Sequence, residues 1–273
     1  VRRLAVPLLL ILSLGGAVAA REIGPDALDR LPEVDVVVLG EVHDNPAHHA
    51  HQARAVKAVA PSALVFEMLG EAQVAALPTD LTDAEAVEAA TEWEARGWPD
   101  FTMYHPIFTA APGARIYAGD LPRSVVRMSV RDGAVAAFGP DAARFGLTEP
   151  FPQEVQAEQE EAMLAAHCFA MPREALPGMV EAQRLRDATL AEAALRALRE
   201  TGGPVVVITG VEHARTDIGV PAVLRRAAPE VTVLSVGQME TVPEERPPHD
   251  LWLITDGVAG RGDPCAAFGS TEG

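Results

Sequence analysis

Two short segments of this chain put carboxylates and imidazoles at spacings that chemistry can use. In the first, Val36, Val37, Val38 and Leu39 run to Gly40, and Glu41 and His43 follow at once. In the second, Val205, Val206, Val207 and Ile208 run through Thr209 to Gly210, and Glu212 and His213 follow. Each reads as a buried strand ending in Gly-x-x-His with a glutamate inside the motif. Such a strand delivers its last side chains to the carboxyl edge of an α/β sheet, where sheets of that kind keep their sites. A third apolar run carries Glu67 between Phe66 and Met68. A charged residue inside an apolar strand is seldom buried without a partner. Asp120 closes a fourth run, so four neighbouring strand ends could share one polar crevice.

Glu41, His43, Glu67 and His213 form a mixed nitrogen and oxygen donor set, of the kind that holds a divalent transition metal such as Zn, Mn, Fe or Co. A metal there would activate water, with a spare glutamate as general base, which is the chemistry of a metal-dependent hydrolase. The same groups could instead line a cofactor pocket, or the two histidines could be hydrogen-bonded parts of the scaffold. On a helix opening at Pro46, His48 and His51 share a face and His49 points elsewhere. A histidine-rich tract can bind metal, although helix histidines are commonly just solvated. Gln183 and Asp187 lie four apart on a long helix and share a face, turned either to the strand ends or to solvent. Arg215 and Asp217, just past His213, are spaced to orient its imidazole. The two tyrosines, Tyr104 and Tyr117, could each offer a phenolate to haem iron. The chain has no Gly-x-Ser-x-Gly elbow, P-loop, Gly-x-Gly-x-x-Gly or Cys-x-x-Cys-His, which removes α/β-hydrolase, nucleotide-hydrolase, simple dinucleotide-binding and covalent-haem readings.

The elements that must position these residues are legible as alternation. Strands are expected at 34–40, 63–69, 114–120, 204–210, 231–237 and 251–256. Most are unbroken apolar runs, as strands covered on both faces are, and helical stretches separate them. The fold class is therefore α/β: a mostly parallel central sheet flanked by helices. Asn45 and Pro46 cap and open the first helix, which runs towards Pro61. Helices follow at 82–96, with a capping-box start at Thr82, and at 100–110. Glycines and prolines break the region of about 125–177 around a helix at 153–166, a helical insertion that would cap the strand ends. A long helix at 177–200 stops at Gly202 and Gly203. From about 242 to 273 the chain is rich in Pro, Gly and charge and is expected as a surface tail.

The 273 residues are 48% apolar, enough for one core, and residues 20–273 read as one domain. Arg2 and Arg3, the apolar stretch 4–14 and Ala17, Val18 and Ala19 form a signal-peptide pattern over 1–19. No cysteine follows it, so the mature chain is expected in the periplasm, without a lipid anchor or stable membrane insertion. Net charge is −17, with no basic cluster along the sequence, so nucleic acid is not an expected partner. Cys168 and Cys265 are the only cysteines, and in an oxidising compartment they favour one disulfide.

Taken together, the run from Leu39 to Pro46 with His48 and His49, then Phe66, Glu67 and Met68, resembles the ChaN-like haem-binding family. So do the segments 181–189 and 210–213 through Gly219, Val220 and Pro221, and more weakly 98–106. The family sits in a wider group with the Tiki and TraB proteins and erythromycin esterases. The resemblance implies a periplasmic haem-binding protein serving haem or iron uptake, on an α/β fold, with haem as cofactor. It also implies a possible homodimer holding two haems face to face, with tyrosine ligation. His43, His48, Tyr104, His213 and Arg215 are the residues it points to around the cofactor. The Tiki branch implies the alternative, metal-dependent cleavage at Glu41, His43, Glu67 and His213.

Overall fold

The computed structural model describes residues 20–263 and 265–266. The expected signal segment 1–19 lies outside the described residues. Seven parallel strands form the sheet: β1 (Arg21–Glu22), β2 (Val36–Glu41), β3 (Ala63–Phe66), β4 (Arg115–Ala118), β5 (Val205–Gly210), β6 (Val233–Met239) and β7 (Leu251–Ile254). Their order across the sheet is β1-β7-β6-β2-β5-β3-β4. From β2 the chain moves outward to β3 and β4, then returns to insert β5 between β2 and β3. This places the two Gly-x-x-His strands side by side, with the Glu67 strand next to them.

Alternation along the strands builds two cores. Val37, Leu39, Leu64 and Phe66 face one side, where α1 (Pro46–Val59), α3 (Ala84–Thr91) and α4 (Phe101–Ala110) pack. Val36, Val38, Val65 and Val207 face the other, under α5 (Arg123–Asp132), α6 (Ala134–Phe138), α8 (Leu176–Thr201) and α9 (Val220–Ala227). The short helix α2 (Glu71–Ala76) follows β3, and α7 (Gln153–Ala166) leans on α8.

The helix ends follow the local chemistry of the chain. Asn45 accepts from the Ala47 N–H and Pro46 occupies the first turn. Gly202 ends α8 in the left-handed region, at φ 82°. The expected helix at 82–96 is corrected: Asp83 rather than Thr82 caps α3, and Glu92, at φ 52°, stops it before a separate 3-10 turn at Glu94–Arg96. β1 was not foreseen. The strand expected at 251–256 is present as β7, which corrects the expectation of a surface tail over 242–273 in that part. β7 pairs with β6 inside that stretch, and its Leu251 and Leu253 are buried. Cys168 and Cys265 are bonded across 97 residues. Among the described residues, no helix is long and apolar enough to cross a membrane.

Candidate functional site

Strand register assembles the site. Glu41 lies opposite Gly210, and Phe66 opposite Ile208. The Glu67 N–H donates to the Ile208 carbonyl at 3.0 Å, which carries the pairing one residue past β3. The Glu67 carboxylate thereby meets the end of β5, and its Oε2 accepts from the Thr209 hydroxyl and the Gly210 N–H, each at 2.7 Å. Burial pushes this carboxyl up, but His213, His43 and those two donors outweigh it, so its pKa is lowered.

Glu41 is the centre of the first half. Its buried carboxylate accepts from the Tyr104 hydroxyl at 2.6 Å and from His43 Nδ1 at 2.9 Å. Below it, the fully buried ring of His49 has Nε2 on the His43 carbonyl at 2.9 Å. His49 Nδ1 lies 3.2 Å from both Gln52 Oε1 and Glu41 Oε2. The Gln52 amide nitrogen is committed to the Leu39 carbonyl at 3.0 Å, so its oxygen must face His49. Both ring nitrogens of His49 therefore face acceptors, and the ring is an imidazolium paired with the Glu41 carboxylate. Burial opposes that charge, but Glu41 raises the His49 pKa, and the two histidines together bring Glu41 down to about 2 despite its desolvation.

The second half is built on α8. Asp187 reaches His213 Nδ1 at 2.7 Å, and the Gln183 carboxamide lies 3.3 Å from Nε2. Glu67 Oε1 stands 3.6 Å from the same Nε2. Burial disfavours the imidazolium, but Glu67 and Asp187 flank it and raise its pKa to about 9. Burial holds the Asp187 carboxyl above its usual range, against the pull of His213 and with a smaller push from the Glu67 charge.

His43 joins the halves. Its Nδ1 is held by Glu41, and its ring lies 5.2 Å from that of Trp98. Its side chain is 36% exposed where that of Glu41 is 0%. Nε2 has no hydrogen-bond partner among the described residues. Burial lowers its pKa, and the bond from Glu41 with the field of Glu67 more than reverses that. A Cβ at Gly210 would stand 3.1 Å from Nε2, so the glycine keeps the space beside this nitrogen free of a side chain.

Several expectations are corrected here. Glu41, His43, Glu67 and His213 do converge, but as hydrogen-bonded pairs. Among the described residues no group of three or more His, Cys, Asp or Glu side chains could hold a metal ion. Glu41 Oε1 is taken by Tyr104 and His43, Glu67 Oε2 by Thr209 and Gly210, and His213 Nδ1 by Asp187. Tyr104 is fully buried with its hydroxyl on Glu41, which with desolvation drives its pKa far up, so no phenolate faces the crevice. Tyr117 bonds Glu200 at 2.9 Å. His48 is also sealed: Nδ1 accepts from the Val42 N–H at 2.8 Å and Nε2 donates to Thr255 at 2.7 Å, and burial brings its pKa to about 4. His51 bonds Gln238 at 2.9 Å. Arg215 pairs with Asp217 at 2.9 Å and Glu158 at 3.0 Å, leaving the His213 imidazole to Asp187. Asp120 is drawn away to Arg96.

Sequence reasoning missed His49 and Trp98. The signal for His49 was present: His48, His49, Gln52, Ala55 and Val56 form one buried stripe at helical spacing. Its first members are polar, and so it did not read as a core face.

Comparison with known proteins agrees with this architecture. The chain is similar in structure to ChaN of Campylobacter jejuni, described by its cofacial haem binding. The two share 17% identity, with 83% of this chain and 89% of that one covered and a TM-score of 0.58. The type III effector HopBA1 is a more distant match, at 15% identity and TM-score 0.45, covering 82% and 88%. No curated protein sequence matches. A model of the family described as haem-binding uptake, Tiki superfamily, ChaN matches residues 27–224. That span holds both Gly-x-x-His strands, Glu67 and Asp187, and the chain belongs to this ChaN family of haem-binding uptake proteins.

Proposed function

We propose that this protein binds haem, with His43 as the residue that meets the iron, and that it serves haem or iron uptake in the periplasm. The observation that carries the reading is the state of His43. Its ring is half-buried, Nδ1 is anchored on Glu41, and Nε2 has no hydrogen-bond partner among the described residues. An imidazole held by a carboxylate is fixed in orientation and more basic at its other nitrogen, as haem and metal sites require of a ligand. Haem, when bound, would supply the iron and the flat apolar macrocycle. This chain's part is to present Nε2, pack Trp98 beside it and keep Gly210 free of a side chain. His213, Asp187 and Glu67 hold a fixed charge pattern at the rear of the crevice. The periplasmic location is supported by the signal-like pattern of 1–19 and by the disulfide. A homodimer is supported by the cofacial haem binding described for the Campylobacter protein.

Titrating the purified protein with haemin tests this. The expected result is a saturable Soret shift, with dimer formation seen by light scattering at saturation. An unsaturable spectrum, the sum of free haemin and protein, overturns the reading. Gly210→Ala is expected to weaken binding while leaving the melting temperature within a few degrees, because the new methyl crowds the free nitrogen rather than the core.

A further inference from the structure

A cleft of about 990 Å³ opens between α2, α5 and α8, past the ends of β3 and β4. It is at the upper end of the size range of small-molecule sites. Its wall carries Arg96, Arg123, Arg127, Arg186, Arg196 and Arg199. Six of the chain's 22 basic residues thus line one cavity in a protein of net charge −17. They come from 96–199, so no window of the sequence shows a basic cluster, and the fold makes one. Only three carboxylates line the same wall: Glu71, Asp120 and Glu192. Glu71 is taken by Arg196 and Asp120 by Arg96. Arg123, Arg127, Arg186 and Arg199 have no acidic partner among the described residues.

Two further observations point to a ligand. The buried Nε atoms of Arg96 and Arg196 have no hydrogen-bond partner, and a buried donor left unpaired costs about 1–3 kcal/mol. The lining also has apolar members, Trp98, Leu121 and Val126, interleaved with the arginines. Trp98 therefore borders the cleft and also packs on His43. Arg186 reaches far enough the other way for its charge to act on His213.

We propose that this cleft is a carboxylate-receiving site for an amphipathic dicarboxylate, the porphyrin of the reading above, on which the proposal rests. The flat body lies along Trp98, Leu121 and Val126. The two carboxylates are held by Arg123 and Arg127, one turn apart on α5, and by Arg186 on α8. Guanidinium forks match carboxylates in two parallel hydrogen bonds, which gives direction as well as charge. The arginines thus set which edge of the macrocycle enters, and Trp98 links the cleft to His43, on which its ring packs.

Wild type, the double variant Arg123→Gln/Arg127→Gln and His43→Ala are titrated with haemin, haemin dimethyl ester and metal-free protoporphyrin. Tryptophan quenching reports occupancy, and Soret position reports ligation. The double variant is expected to lose about tenfold in affinity for haemin and protoporphyrin and nothing for the diester, with an unchanged melting temperature. Equal haemin affinity in wild type and double variant, or a wild type that binds diester as tightly as diacid, overturns the proposal. Arginine-dependent protoporphyrin binding without any haemin Soret shift would sustain the cleft and sink His43 ligation. A Soret shift indifferent to the arginines would do the reverse, and failure of all three ligands refutes both.

Discussion

Glu41 stands between three groups that each favour its charge: the Tyr104 hydroxyl, His43 and the His49 imidazolium. Removing the charge alone, in Glu41→Gln, leaves His49 buried without its counter-ion. The expected loss is about 3–5 kcal/mol in urea unfolding, the range seen when one partner of a buried pair is removed. The two halves of the site also predict a pH profile. Glu41 titrates at about 2 when folded against an ordinary 4.5, so its contribution is full above pH 4.5 and lost as pH falls through about 2. His213 titrates at about 9 against an ordinary 6.5, so its contribution is full below pH 6.5 and lost as pH rises through about 9. Unfolding midpoints should be highest between about pH 4.5 and 6.5 and fall on both sides. In Asp187→Asn the alkaline fall should begin at lower pH, because one of the two carboxylates that hold the proton on His213 is gone. A midpoint flat from pH 6 to pH 10 in wild type would contradict this assignment.

At the scale of elements, α8 decides the geometry of the second half, and its position depends on close contact with α5. A Cβ on Gly178 would run into the carbonyl of Val130 on α5. Gly178→Ala should therefore cost about 1–3 kcal/mol by overpacking, measured by chemical denaturation, and it should disturb Arg123 and Arg127 on the same helix. An unchanged stability would mean the two helices separate freely. These elements also mark what the sequence could disclose. The apolar runs gave the strands, and Asn45, Pro46 and Gly202 gave helix ends, because those signals are local. Gly40, Glu41 and His43 could be placed at a strand end for the same reason. That Asp187 rather than Arg215 supports His213 was not legible, since it depends on how α8 is rotated against β5. Equally, Tyr104 looked available only because nothing along the chain shows that α4 lays its hydroxyl on Glu41.

For the whole molecule, the bond between Cys168 and Cys265 ties the loop after α7 to the segment beyond β7. Closing a loop of this length stabilises by about 4–5 kcal/mol in the chain-entropy account. Denatured, unreduced protein should show no titratable thiol, and reduction should lower the melting temperature; two free thiols would refute the bridge. In a chain of net charge −17 the arginine cleft stands out, because four of its six guanidinium groups have no acidic partner among the described residues. The proposed binding of haem iron by His43 depends on the sheet's switch between β2, β5 and β3, which brings that imidazole to the strand ends with Trp98 packed on it. Its most direct test is the Soret band of the haemin-loaded protein compared between wild type and His43→Ala. A shifted, saturable band is expected in wild type, moving towards free haemin in the variant with the fold intact by circular dichroism; identical spectra from the two proteins would contradict ligation by His43.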